Sequence, residues 1–307
     1  SDYIQGTAFQ PYQGSANTDL FLSDVEVGTG EYNISGKINY VQEADYHTLA
    51  FLNDYTNFSS DIDYIGITYK DSAGSTIGAA KYLPNTNANG GATPNTQVDT
   101  DKERLLYVGI GPGNLEASTV APFGGSAGDA APSNFSNWAY YIVAGYNGSF
   151  SLQTSLYYFV KQDASCKGYN VRRLAFRNSL GCYDYFNFKK KSTQTLEVNR
   201  NNYETIMGRF NASKWYYNNT MRGKRTRETT AVLKETLNTD WVNEADARLL
   251  EKLIMSTDVY IVENVDTTYT EGVIITDSSF VRKTVANDNL IQYSITIEYA
   301  NPVNTNS

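Results

Sequence analysis

Few residues in this chain have the types and spacing that chemistry requires. Gly109-Ile-Gly-Pro-Gly113 is a glycine-rich run behind an apolar stretch. A dinucleotide or phosphate loop needs a helix N-terminus directly after such glycines. The following Asn114–Pro122 reads instead as a loop, so the run is expected to be a turn. Cys166 and Cys182 can bridge only if their Cα atoms come within about 7 Å. With His47, the only histidine, they fall short of an ordinary zinc site unless carboxylates assist. His47 precedes Thr48-Leu-Ala-Phe and reads as a structural strand residue. Asp54, Asp61 and Asp63, and separately Asp99, Asp101 and Glu103, are acidic enough to suggest calcium, but neither has EF-hand spacing. Two carboxylates 5–10 Å apart could hydrolyse a glycoside, a spacing that sequence does not reveal. No serine elbow with histidine and acid partners is present. No catalytic residue, cofactor or metal is therefore expected.

The elements that would position such groups are mostly strands. The chain has 307 residues, which suggests two domains. At 41% apolar residues it can bury a substantial core. Tyr, with 25 copies, is the outlier, and it suits both strands and interfaces. No run approaches the ~20 apolar residues of a membrane helix, so no membrane insertion is expected. The start, Ser1, shows no leader pattern. Residues 1–160 hold 5 Lys/Arg and 16 Asp/Glu, a net of −11, whereas 161–307 hold 20 and 17, a net of +3. That break predicts an acidic domain over 1–160 and a second over 161–307, with the boundary near Lys161–Lys167. The acidic first half argues against nucleic-acid binding there.

Short alternating runs at Leu20–Val27, Tyr32–Val41, Thr48–Leu52, Ile62–Tyr69 and Ile77–Leu83 predict strands in the first half. Tyr140–Tyr146 and Ser149–Val160 flank Asn147-Gly148, a two-residue hairpin signal. An antiparallel sandwich is the expected form. Pro84–Thr100 and Gly111–Ser136 read as long loops. Phe123, Phe135 and Trp138 are the expected aromatic anchors for contacts of these loops with another protein. In the second half, strands are predicted at Val171–Asn178, Tyr183–Lys190, Val259–Glu263, Val273–Thr276, Phe280–Thr284 and Leu290–Tyr299. Asn243–Met255 reads as a helix, with Asn243 as cap, Leu249, Leu250, Leu253 and Ile254 on one face, and a Glu244–Arg248 pair.

One element stands apart. Residues 192–238 read as a very long hairpin with arms Ser192–Ile206 and Thr226–Leu237, both polar, Thr-rich and free of Pro and Gly. Usual strands have about 5–6 residues, and a long unpaired edge is one that soluble monomers avoid. A neighbouring copy is expected to pair with it. The expected contact residues are Thr195, Glu197, Asn199 and Tyr203 on the first arm, Arg222 and Arg225 near the basic tip, and Arg227, Glu228 and Thr230 on the second.

Four stretches give this pattern a family resemblance. Cys166–Phe188 (CKGYNVRRLAFRNSLGCYDYFNF), then Leu237–Ala247 (LNTDWVNEADA) with Leu253–Val262 (LIMSTDVYIV), then Asn287–Ala300 (NDNLIQYSITIEYA) resemble segments of bacteriophage virion structural proteins, in order. The resemblance covers about residues 166–301 and none of the first 150. For that part it implies a tail-tube or distal-tail type of fold, a β-sandwich with one flanking helix and a long hairpin that completes a ring-wide barrel; with the sandwich expected from the strand pattern of the first half, the whole chain is expected to be mainly β with two sandwich-like domains. It further implies a homo-oligomeric ring, contact with neighbouring tail proteins, a place in the virion tail after assembly in the host cytoplasm, and free thiols at Cys166 and Cys182. Tube, distal-tail, hub and fibre-adaptor roles all remain open. A receptor- or glycan-binding tail module is the alternative expectation, with a polysaccharide-degrading tail enzyme third.

Overall fold

The computed structural model describes residues 23, 25, 27–52, 62–85, 105–116, 130–162, 169–218, 220–262, 270–277 and 292–301. The chain is mainly β, as its alternation predicts. The strands of the first half are β1 Val27–Thr29, β2 Ser35–Val41, β3 Thr48–Leu52, β4 Tyr64–Lys70, β5 Lys81–Pro84, β6 Leu105–Gly109, β7 Tyr140–Tyr146 and β8 Tyr157–Lys161, with a short helix α1, Pro112–Glu116, after β6. Six of these strands form one sheet in the order β1-β2-β8-β7-β4-β5, and β3 pairs with β6 separately. Period-two alternation decides what is inside: Ile65, Ile67 and Tyr69 of β4 are buried with Tyr141 and Val143 of β7. Leu49, Phe51, Leu106 and Val108 of the β3–β6 pair complete the same core.

Several expected boundaries move for local reasons. The strand expected from Tyr32 starts at Ser35, because Tyr32 and Asn33 adopt φ of 59° and 55°. Asn147-Gly148 does not form a two-residue turn. The Asn147 side chain accepts from the amides of Ser149 (3.0 Å) and Ser151 (2.9 Å) and closes a wider loop. β8 therefore begins at Tyr157 rather than Ser149. The β2–β8 pair is parallel, a departure from the all-antiparallel expectation. Ile62–Tyr69 and Ile77–Leu83 shorten to β4 and β5. Of Leu20–Val27 only Ser23, Val25 and Val27 lie among the described residues.

The strands of the second half are β9 Arg172–Arg177, β10 Tyr183–Phe188, β11 Thr193–Glu204, β12 Arg209–Asn211, β13 Lys214–Tyr216, β14 Lys224–Asn238, β15 Val259–Val262, β16 Thr270–Ile275 and β17 Ser294–Tyr299. Seven of them make an antiparallel sheet in the order β10-β9-β15-β16-β17-β14-β11. The helix α2, Glu244–Met255, starts where the sequence places it. Asn243 accepts from the Asp246 amide at 2.9 Å, and Glu244 pairs with Arg248 at 2.8 Å. Leu249, Leu250 and Leu253 are buried against Phe176, Leu237, Val259 and Ile295, and Ile254 is partly buried beside them. Val25 joins this core, and the Ser23 hydroxyl donates to Asp184 at 2.6 Å, so residues ahead of β1 pack with the second half. The expected strand Phe280–Thr284 lies outside the described residues. Among the described residues no helix is long and apolar enough to cross a membrane.

A buried polar cluster joins the two sheets. Arg173 of β9 donates to Asp45 (3.0 Å) and to Asn187 of β10 (2.7 Å), and its guanidinium stacks on the Tyr185 ring at 4.8 Å. Its other terminal nitrogen lies 3.0 Å from His47 Nδ1. Asn187 also donates to Asp45 at 3.0 Å. Each charge is paired and hydrogen-bonded, the condition for burying it.

Candidate interface on the projecting hairpin

The residues with apparent chemical potential are built into packing. A short helix does follow the glycine run, contrary to the sequence expectation. Its surroundings nonetheless occupy the nearby donors: the amides of Ile110 and Gly111 donate to the His47 carbonyl (2.8 and 3.0 Å), and Gly113 donates to Asp45 (2.9 Å). A Cβ on Gly111 would lie 2.4 Å from the His47 nitrogen, so glycine here permits close backbone approach. His47 is buried, and burial and then the Arg173 charge hold its pKa well below the ordinary value. With Nδ1 against a guanidinium, its ring is neutral and accepts there. Cys182 is a free, buried thiol whose pKa burial pushes up to about 11, which makes it a poor nucleophile. Cys166 lies outside the described residues, as do Asp54, Asp61, Asp99, Asp101 and Glu103. Among the described residues no group of three or more His, Cys, Asp or Glu is placed to hold a metal ion.

The loop anchors fare differently from expectation. Phe135 and Trp138 are 5% and 6% exposed and pack on Tyr69, with ring centroids 4.1 and 5.9 Å away. They fill the first core and have little surface left for an outside contact. Phe123 lies outside the described residues.

The hairpin is where the surface is unusual. β11 pairs with β14 from Thr193↔Thr236 to Glu204↔Lys224. At about 3.4 Å per residue its 12 residues span roughly 40 Å, and all 12 are exposed. β17 supports β14 only over Lys234–Asn238. Among the described residues Lys224–Leu233 pairs with β11 alone, and nothing pairs with the outer edge of β11. The ribbon thus leaves the sheet with two free edges.

Its base is pinned by Glu235, which is fully buried on β14. The carboxylate accepts from Arg172 Nε (3.1 Å), Gln194 (3.1 Å) and the Tyr299 hydroxyl. Burial pushes this carboxyl up, but hydrogen bonds from Ser192, Tyr299 and Gln194 and the Arg172 charge outweigh it and hold it below the ordinary value. An ionised group with this many partners fixes where the ribbon departs.

Register sorts the candidate residues. Thr195, Glu197, Asn199, Glu228 and Thr230 fall on one face through the partners Thr195↔Lys234, Asn199↔Thr230 and Asn201↔Glu228. Lys234 reaches Glu197 diagonally at 2.8 Å. Tyr203 pairs with Arg225 nearer the tip, and Arg227 is the extra residue where the register shifts after Asn201. Arg222 lies in the tip, its carbonyl accepting from the Thr205 hydroxyl at 2.9 Å. All nine are exposed.

Two features escaped the sequence reading. The opposite face carries Leu196↔Leu233 and Val198↔Ala231, with Leu196 53% and Val198 37% exposed. It continues the side of β14 that buries Leu237, and apolar residues at spacing two were its signal. The tip, β12–β13, exposes Phe210 (70%), Trp215 (49%) and Tyr217 (63%). The run Trp215-Tyr-Tyr217 signalled this in a segment otherwise notable for its charge.

No protein-family model matches this chain, and a search of curated proteins finds no match to it.

Proposed function

We propose that this chain is a non-enzymatic structural subunit of a bacteriophage tail that assembles as a homo-oligomeric ring, each hairpin pairing with that of the next copy. The observation that carries this reading is the ribbon: fully exposed β11, with no described partner on its outer edge, backed by ten residues of β14 that β17 does not support. Open strand edges are templates for further strands. Pairing the β11 edge of one copy with the β14 edge of the next is head-to-tail, and head-to-tail contacts close into rings when the rotation allows. The apolar stripe of Leu196, Val198, Ala231 and Leu233 would be covered in such a barrel, and the polar face would stay in water. The sequence resemblance over residues 166–301 supports the tail assignment.

The test replaces Val198–Ala231 with Asn-Gly, joining the paired positions Glu197 and Val232 by a two-residue turn. The variant is expected to fold and to sediment as a monomer where the intact chain forms a ring. Full-size assembly by the variant would rule the ribbon out as the joining element.

A further inference from the structure

We infer that the cleft between the two halves of the chain binds a neutral sugar ring, an activity that edge pairing neither requires nor supplies. The cleft holds about 300 Å³, the lower end of the roughly 300–1,000 Å³ usual for small-ligand sites. β2 and Gln162 form one wall, and β10, the segment after β14 and α2 form the other. Junctions between structural units are favoured places for such sites. Among the described residues its lining takes none from the hairpin, 192–238.

Unused hydrogen-bonding groups in the lining say what it takes. Asn39 of β2 is 5% exposed, yet its Nδ2 has no partner among the described residues. Gln162 Oε1 is likewise buried with no partner among them. Buried amides left unpaired are costly, and each calls for an explanation. The terminal torsion of Asn is soft, so the amide turns readily toward the cleft it lines. An N–H donor gains nothing from a metal ion or an ammonium group. An anion would leave the Gln162 acceptor unpaired and would meet Glu31 and Asp246, with Lys189 the one cation among the described lining residues. Hydroxyl groups both donate and accept, so they serve either amide in either orientation. Burial pushes the Asp246 carboxyl up to about 6 although the Asn243 amide donates to it, and a hydroxyl donating there would favour its ionised form. Phe186 and Leu249 supply apolar wall, and Trp241, 59% exposed, stands at the mouth. A pyranose has the matching build: hydroxyls around its edge and C–H faces that pack flat on an indole. Linear polyols lack such a face, and nucleotides carry phosphates that the carboxylates repel.

The test is saturation-transfer NMR on the intact chain with glucose, galactose, mannose and N-acetylglucosamine up to tens of millimolar, each as the free sugar and as its methyl glycoside. Transfer to the ring protons of at least one is expected, with Trp241→Ala and Asn39→Leu each weakening its binding about tenfold. Asn39→Leu also separates binding from folding: an amide without a partner holds nothing together, so the urea midpoint should not fall. A lower midpoint would show that the amide serves the fold and would overturn its role in the site. Trp241 is exposed, so Trp241→Ala leaves the core intact. Transfer unchanged in that variant, or none from any sugar, would overturn the site. Transfer confined to uridine or to N-acetylated dipeptide amides, run alongside, would replace the sugar with a base or a peptide. Equal transfer to glycoside and free sugar would assign the end of a glycan chain, and loss on methylation a free sugar; both outcomes support the site.

Discussion

Arg173 is 2% exposed, and its partners come from both halves of the chain, Asp45 and His47 from the segment between β2 and β3 and Asn187 from β10. Replacing it with Leu would leave the Asp45 carboxylate buried beside an apolar group. Loss of one partner of such a pair typically costs about 3–5 kcal/mol, so Arg173→Leu should lower the unfolding free energy in urea by that amount. A loss below 1 kcal/mol would mean that water reaches the site. His47 supplies a pH dependence of known sign. Its pKa in the folded chain is depressed by burial and by Arg173, from an unfolded value of 6.5. Above pH 6.5 the ring is neutral in both states and stability is unaffected. As pH falls below 6.5 the unfolded chain takes up a proton that the folded one refuses, and stability declines. His47→Gln should flatten the fall in urea midpoint between about pH 7.5 and pH 5.5. An identical fall in both proteins would show that His47 is accessible to protons.

At the scale of elements, α2 is held by its cap and by one face. Leu253 is fully buried, and Leu253→Ala should cost about 2–5 kcal/mol. Asn243→Ala removes the acceptor for the Asp246 amide and should cost about 1 kcal/mol. Thermal unfolding of both variants checks the ranking; a costlier cap than core residue would mean that the helix is anchored by its end. β11 differs in kind. Its residues make cross-strand contacts to β14 and bury little surface, so sheet pairing alone orders it. An isolated two-stranded ribbon is marginal in water, which places the projecting part at the low-stability end of this molecule.

For the whole molecule, the base and the tip of the ribbon have opposite surroundings: Glu235 and its partners anchor one end, and the other ends in exposed aromatics and cations. Amide exchange reads the consequence directly. The outward amides of Thr193–Glu204 should exchange rapidly in the isolated chain and slowly after assembly, while those of β9, between β10 and β15, stay slow in both. Equal exchange of β11 in both states would show that its edge stays in water. Main-chain pairing involves no net charge, so assembly through the strand edges should be insensitive to ionic strength.

Local physics explains what could be read from the chain alone. The hairpin arms declare themselves because fifteen consecutive positions, Ser192–Ile206, hold no Pro or Gly. The start of α2 follows from Asn243 and the leucine spacing, and β3 and β7 from alternation bounded by turn residues. These depend on neighbours within a few residues. Tertiary structure alone decided the parallel β2–β8 pair, the place of Val25 in the second core, and the burial of Phe135 and Trp138 in the first. It also made the Gly109–Gly113 run a seat for residues 45–47, and it bound Arg173 to Asp45 across 128 positions of chain. In each case the partner is distant in sequence, and a residue's own type does not say which surface will cover it. The two faces of the ribbon lie between these extremes. Spacing two puts Leu196 with Val198, but only the register with β14 aligns them with Leu233 and Ala231, and only the end of β17 leaves that stripe uncovered.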